Sequence, residues 1–239
     1  MKSSSSPDVI GVACRDFVKH GKAADIKVQS NIPENSIIPV KYLFRSYKEM
    51  PELEHKALSF CKGKVLEIGG GVGSHSLELQ NSKMDVVLLD NSKECCAIAQ
   101  ERGVKKVVCS DLENYFDKGF DTILMMMNGI GITGTLNGLK IFLDKARLML
   151  NKGGQIIFDS CDILYMYLEE DGGLTIDLNG KYYGEVEYTM QYKQHKGNPF
   201  PWLFISKEVM METAEQNGFS LEILFEEEDG MYLGKLRVI

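Results

Sequence analysis

The stretch VLEIGGGVGSHSLEL, residues 65–79, holds the residues best suited to binding chemistry. An apolar run stops at Glu67, and Gly69, Gly70, Gly71 and Gly73 follow within five positions. A backbone this bare lets a ligand approach closely, and a helix starting behind it offers unpaired N–H groups to an anionic group. A plain strand-to-helix connection needs one or two glycines, not four. His75 follows in the first turn after the loop. It is the candidate to touch ligand or substrate, and its competing role is helix surface or cap. Carboxylates close two further apolar runs, Asp90 after VVLL and Asp111 after VVCS. Metal chemistry is not expected. The six cysteines, Cys14, Cys61, Cys95, Cys96, Cys109 and Cys161, show neither C-x-x-C spacing nor histidine partners at zinc-site offsets. They read as reduced, buried thiols of a cytoplasmic protein. His20, His55 and His195 have no supporting neighbours.

These residues need a scaffold, and alternating elements supply one. GKVLEIG, MDVVLLD, KKVVCSD, GFDTILMMM and GQIIFDS are short apolar runs with helical patterns between them. SKECCAIAQERG opens on a Ser/Asn cap and closes at Gly103; TLNGLKIFLDKARLMLNKGG places Leu136, Leu139, Phe142, Leu143, Ala146, Met149 and Leu150 on one face. Strands apolar on both faces, alternating with helices, predict a parallel sheet covered on both sides. A helix over SKEVMMETAEQNG and a hairpin turning at Asp229–Gly230 close the chain. A glycine turn after the first strand of such a sheet lies at its carboxyl edge, where ligands bind.

The chain has 239 residues, 44% of them hydrophobic and 26% charged, enough for one large α/β domain with an insert. No apolar run reaches the length of a membrane span. The net charge of -7 argues against a broad grip on nucleic acid.

The dinucleotide fingerprint G-x-G-x-x-G fails here because position 74 is serine. The spacing instead reads E-x-G-x-G-x-G, from Glu67 to Gly73. In this motif, in the acidic strand ends and in the closing hairpin, the chain resembles the class I S-adenosylmethionine-dependent methyltransferases from about residue 62 to the end, minus the insert. The resemblance implies a Rossmann-like, seven-stranded, mostly parallel sheet with an antiparallel final strand. It implies that Glu67 fixes the amino group of S-adenosyl-L-methionine directly or through water, with Gly69, Gly71 and Gly73 beneath the cofactor. Asp90 matches the residue that takes both ribose hydroxyls, beside Asn91. Asp111 matches the residue near the adenine amino group, and Leu112 offers its N–H to the ring. Met127 and Asn128, after the fourth strand, fall beneath the transferable methyl group. Where methylases of exocyclic amines carry D/N-P-P-aromatic, this chain has Asn128-Gly129-Ile130-Gly131. That departure argues against nucleobase and glutamine methylation.

Substrate recognition must come from outside the common core. We expect an N-terminal helical and irregular cap over residues 1–60, and a methyltransferase domain over 61–239 with a β-rich insert at about 165–203 turning at Asn179–Gly180. Both extra segments are rich in aromatics. Tyr42, Arg45 and Tyr47 in the first, and Tyr183, Phe200 and Trp202 in the second, are the candidate substrate residues. The two segments are expected to meet above the cofactor and enclose a largely apolar cavity. Glu169, Glu170, Asp171, Asp177, Glu185 and Glu187 make the insert acidic, which disfavours nucleic acid. The expected activity is in-line methyl transfer to a small molecule. An RNA or protein methyltransferase, and a non-catalytic nucleotide-binding protein on the same fold, stand as alternatives.

Overall fold

The computed structural model describes residues 7–32, 35–168, 173, 180–228 and 230–239. Glu169, Glu170, Asp171, Asp177 and Asn179 of the insert, and Asp229 of the closing turn, lie outside the described residues.

The N-terminal segment holds α1 (Val9–His20), β1 (Ile26–Ser30), β2 (Ser36–Ile38), α2 (Val40–Leu43) and α3 (Glu52–Phe60). The core begins with β3 (Lys64–Ile68), α4 (Ser74–Asn81), β4 (Asp85–Asp90), α5 (Lys93–Glu101) and β5 (Val107–Cys109). It continues through β6 (Phe120–Met125), α6 (Leu136–Met149) and β7 (Leu150–Cys161). The insert supplies β8 (Glu185–Tyr192), β9 (His195–Lys196) and β10 (Phe200–Leu203). The chain closes with α7 (Lys207–Gln216), β11 (Phe219–Glu226) and β12 (Met231–Val238).

The main sheet has seven strands in the order β11-β12-β7-β6-β3-β4-β5. β3 to β7 pair in parallel, and β12 runs antiparallel to both β7 and β11. Alternation along β3 explains why it carries apolar residues on both faces. Leu66 and Ile68 enter the core under α6, while Val65 faces α3 and α4 on the opposite side with Leu53, Ala57 and Leu79. On α6, Leu139, Phe142, Leu143, Ala146 and Met149 are all buried. Side chains cap the helix starts: Asp8 for α1, Ser92 for α5, Thr135 for α6 and Ser206 for α7.

A second, antiparallel sheet joins the two segments outside the core. Its order is β10-β8-β1-β2, with β9 on β8. Lys27 to Ser30 of β1 pair with Gln191 to Tyr188 of β8. The N-terminal segment is therefore more than helix and irregular chain. The sequence IKVQS alternates buried and exposed only from Ile26 to Gln29, too briefly for a periodic signal, and its partner strand lies far along the chain. The Tyr192 hydroxyl donates to Asp16 (2.9 Å), tying β8 to α1, and Arg15 of α1 pairs with Glu94 and Glu101 of α5 (2.8 Å each).

Candidate active site

The glycine loop joins β3 to α4 at the carboxyl edge of the sheet. Gly69, Gly71 and Gly73 have φ of 72°, 53° and 83°, a region that side chains resist. A Cβ at Gly73 would press on Val104 and one at Gly69 on Ile132, whereas one at Gly71 would meet nothing within 4 Å. The loop is thus packed from behind and open at Gly71.

Asp90, at the tip of β4, faces that opening. Its carboxylate accepts from the Gly71 and Ser92 N–H groups, each at 2.8 Å. A carboxylate has about four acceptor positions, so two remain for hydroxyls of a ligand. Burial pushes this carboxyl up, against those two N–H groups. Asn91 donates to Asp111 (3.1 Å), bridging the exposed tips of β4 and β5, and Leu112 packs against the main core. Gly71, Asp90, Asn91 and Asp111 therefore form a polar shelf at the carboxyl edge of the sheet.

Glu67 and His75 face inward rather than to this shelf. Glu67 is 2% exposed and His75 6%. His75 Nδ1 lies 3.1 Å from Glu67 and Nε2 lies 3.0 Å from Glu54, while the Ser76 hydroxyl donates to the other Glu67 oxygen. Arg45 clamps Glu54 with two N–H groups (2.6 and 2.9 Å), and its guanidinium lies over the Tyr42 ring, 4.1 Å from the centroid. Burial alone lowers the His75 pKa, but the two carboxylates outweigh it and raise it to about 9. Burial likewise raises Glu54, and His75 with Arg45 reverses this, to about 2. The imidazolium thus donates from both ring nitrogens, and two buried cations balance two buried anions. Ser74 adds a bond to the Leu43 carbonyl (2.8 Å). The N-terminal segment is by these contacts fastened to the first turn behind the glycine loop.

Just past the end of β6, Met127 (φ 64°) and Asn128 (φ 52°) are two consecutive left-handed residues. Such residues carry strain and need support. Asp159 of β7 provides it, accepting from the Asn128 N–H (2.9 Å) and the Gly129 N–H (3.4 Å). Asp159 is 2% exposed, and burial raises its pKa to about 6 against these bonds. The Asn128 amide reaches the Leu203 carbonyl (3.2 Å) and accepts from Ser160 (3.0 Å), joining the core to β10. Glu67 pairs with Leu124 across β3 and β6, so β6 runs beside the strand that leads into the glycine loop.

Above Met127 and Asn128 lies a cavity of about 160 Å³. The strands β1 and β2 line it with Val28 and Ile38, β8 with Tyr188, and the β10 segment with Trp202 and Phe204. The volume corresponds to about five molecules of liquid water. The indole of Trp202 rests on Gly131, where a Cβ would collide with it. A larger concavity of about 410 Å³ lies between α5 and β5, lined by Lys93, Cys96 and Cys109 among others. It includes none of the glycine loop, Asp90 or Met127, so we do not assign the reaction to it. Among the described residues, no group of three or more His, Cys, Asp or Glu is placed to hold a metal ion.

Of the six candidate substrate residues, Trp202 lines the cavity and Phe200 packs edge-on against Tyr188 and Trp202. Tyr42 and Arg45 belong to the buried charge network. Tyr47 stacks on His55 near the surface, and Tyr183 donates to Asp162 (2.7 Å) in a separate cluster with Tyr167 and Tyr182. Three residues escape sequence reasoning. Glu54 sits in an ordinary acidic helix and carries no signal. Val28 lies in a strand too short to read. Asp159 closes the apolar run QIIF as Asp90 closes VVLL, and that signal could have found it.

A methyltransferase domain model matches residues 65–154, from β3 into β7. The chain is similar to a SAM-dependent methyltransferase from Bacteroides fragilis, solved in complex with S-adenosyl-L-homocysteine. The two share 39% identity at a TM-score of 0.89, over 97% of this chain and 94% of that one. The CcbJ methyltransferase from Streptomyces caelestis (13% identity, TM-score 0.59, 80% and 94% coverage) shares the fold. So does the sugar N-methyltransferase KedS8 from a Streptoalloteichus species (14%, 0.55, 86% and 96%). No curated protein sequence matches. With its glycine shelf, its strand order and this identity over nearly the whole length, the chain belongs to the S-adenosylmethionine-dependent methyltransferases and takes S-adenosyl-L-methionine as its cofactor.

Proposed function

We propose that this methyltransferase acts on a small molecule held in the cavity beneath the second sheet. The observation that carries the reading is the position of that cavity, directly above Met127 and Asn128 at the end of β6. Its volume lies below the roughly 300–1,000 Å³ of pockets that take drug-sized ligands, which supports a compact substrate. S-adenosyl-L-methionine supplies an already activated methyl group when bound.

The chain's task is then placement and exclusion of water. Gly71, Asp90 and Asn91 hold the nucleoside end, with Asp111 and Leu112 at the base. Gly69, Gly73 and Glu67 shape the loop, and His75 acts through Glu67 as a positioning residue. Met127 and Asn128 form the floor on which the two reactants meet. Residues 1–60 with the insert at about 165–203 form the substrate-binding part, and 61–239 the methyltransferase domain. A nucleic-acid substrate is disfavoured by the net charge of -7 and by described cavity walls without lysine or arginine. Among the described residues no helix is long and apolar enough to cross a membrane. The six free thiols support a reducing compartment, the cytoplasm.

The test is a screen of fractionated metabolites with a methyl-labelled donor. Label is expected in a low-molecular-weight product. Label confined to RNA or protein fractions would overturn the reading.

A further inference from the structure

We propose that the cavity takes a small amine, and that its aromatic walls stabilise the positive charge arriving on nitrogen as the methyl group is transferred. This rests on the small-molecule reading above. Tyr188 and Trp202 stack, with ring centroids 6.4 Å apart and planes 28° from parallel. Phe204 meets Tyr188 edge-on at 6.1 Å. All three line the cavity. The faces of such rings are negative and attract a cation within about 6 Å. Gly131 fixes the indole directly over the turn that follows Met127 and Asn128.

The charge bookkeeping of the reaction selects the nucleophile. A neutral amine gives its lone pair to the methyl carbon and forms the N–C bond. The C–S bond breaks, its electron pair stays on sulfur, and the positive charge passes from sulfur to nitrogen. The resulting ammonium releases its proton to water. The reactive species is the free-base fraction of the amine, whose first proton has gone to water before attack, so no base in the site takes part in the transfer itself. An alcohol would have to lose its proton during transfer. Among the described residues, the cavity walls hold no carboxylate, imidazole or amine to take it. His75 is already committed on both nitrogens to Glu54 and Glu67. A thiolate or phenolate would set a negative charge against the negative ring faces, in a chain of net charge -7.

Trp202 is the chain's single tryptophan, so its emission reports what enters the cavity. The probes are choline, its neutral isostere 3,3-dimethyl-1-butanol, and the anion 3,3-dimethylbutyrate, titrated with S-adenosylhomocysteine present. Choline is expected to bind about 2- to 30-fold more tightly than the neutral isostere, and the anion most weakly. Tyr188→Leu is expected to move the choline-to-isostere ratio toward one. With a labelled methyl donor, small primary amines are expected to take the label in preference to matched phenols and thiols. Equal or tighter binding of the isostere or the anion overturns the proposal. So does a silent Trp202 with all three probes, or label preferring phenols or thiols. The labelled-metabolite screen separates the two readings. Label in a low-molecular-weight product that is not an amine sinks the amine alone; label confined to RNA or protein sinks the small-molecule reading beneath it.

Discussion

Replacing Glu54 by glutamine should be among the most costly single changes in this protein. Glu54 is 3% exposed and faces Arg45 through two bonds and His75 through a third. Glutamine keeps the shape but removes the charge, leaving a guanidinium and an imidazolium against one carboxylate, Glu67. Breaking a buried pair by deleting one partner costs about 3–5 kcal/mol. For a chain of this length each kcal/mol moves the melting temperature by roughly 2–4 °C, so a drop of about 6–20 °C is expected. Urea unfolding with linear extrapolation gives the free energy directly. The double variant Arg45→Met/Glu54→Gln should lose less than the sum of the singles, because the stranded guanidinium is gone as well. The same network sets a pH window. His75 is raised from 6.5 to about 9, so its contribution is complete below pH 6.5 and is lost as pH rises through about 9. At roughly 1.4 kcal/mol per unit that is about 3 kcal/mol. Glu54 is depressed to about 2, so its part is present above pH 4.5 and lost as pH falls through 2. A Glu54→Gln protein within about 1 kcal/mol of the wild type, or strictly additive variants, would refute the charge balance.

Asp90→Ala should weaken S-adenosylhomocysteine binding by about 10- to 150-fold, the worth of two hydrogen bonds; calorimetry on protein of unchanged melting temperature checks it. Asp159→Asn has one acceptor oxygen for two backbone N–H groups and turns its NH2 against the other. Slack of about 1 Å at Met127 and Asn128 would cost on the order of 100-fold in turnover, with cofactor affinity retained; unchanged kcat on an identified substrate would remove Asp159 from the argument. Gly131→Ala should displace the indole and shift the Trp202 emission maximum, while S-adenosylhomocysteine still binds.

The main sheet is legible in the sequence because each core strand is an apolar run stopped by a glycine, an acid or a turn. The polar shelf is legible for a related reason: Gly69, Gly71 and Asp90 stand at or just past strand ends. The second sheet is harder to read. Val28 and Ile38 occupy strands of five and three residues, below the span at which alternation is informative. Tyr183 and Trp202 look equivalent as aromatics in one insert, yet only backbone pairing decides that one ring enters the cavity and the other packs with Tyr167. Glu54 is the extreme case. Its role depends on Arg45 and His75 converging from two other elements, and no spacing in the chain encodes that meeting.

The pairing of β1 with β8 bears on how the molecule comes to be made. Asn31 and Glu187, joined at the end of that pairing, are 156 residues apart. Closing a flexible loop of that size costs about 4–5 kcal/mol in chain entropy, so β1 gains little by finding its partner before the core between them has formed. A ribosome emits the first strand some 156 residues before the matching one appears. The core, built from neighbouring strand–helix units, has a local route to completion, whereas the cavity against the second sheet is assembled from segments made far apart in time. Refolding followed by Trp202 emission should therefore lag behind recovery of helical signal, and the slow phase should report the closing of this cavity rather than the making of the fold.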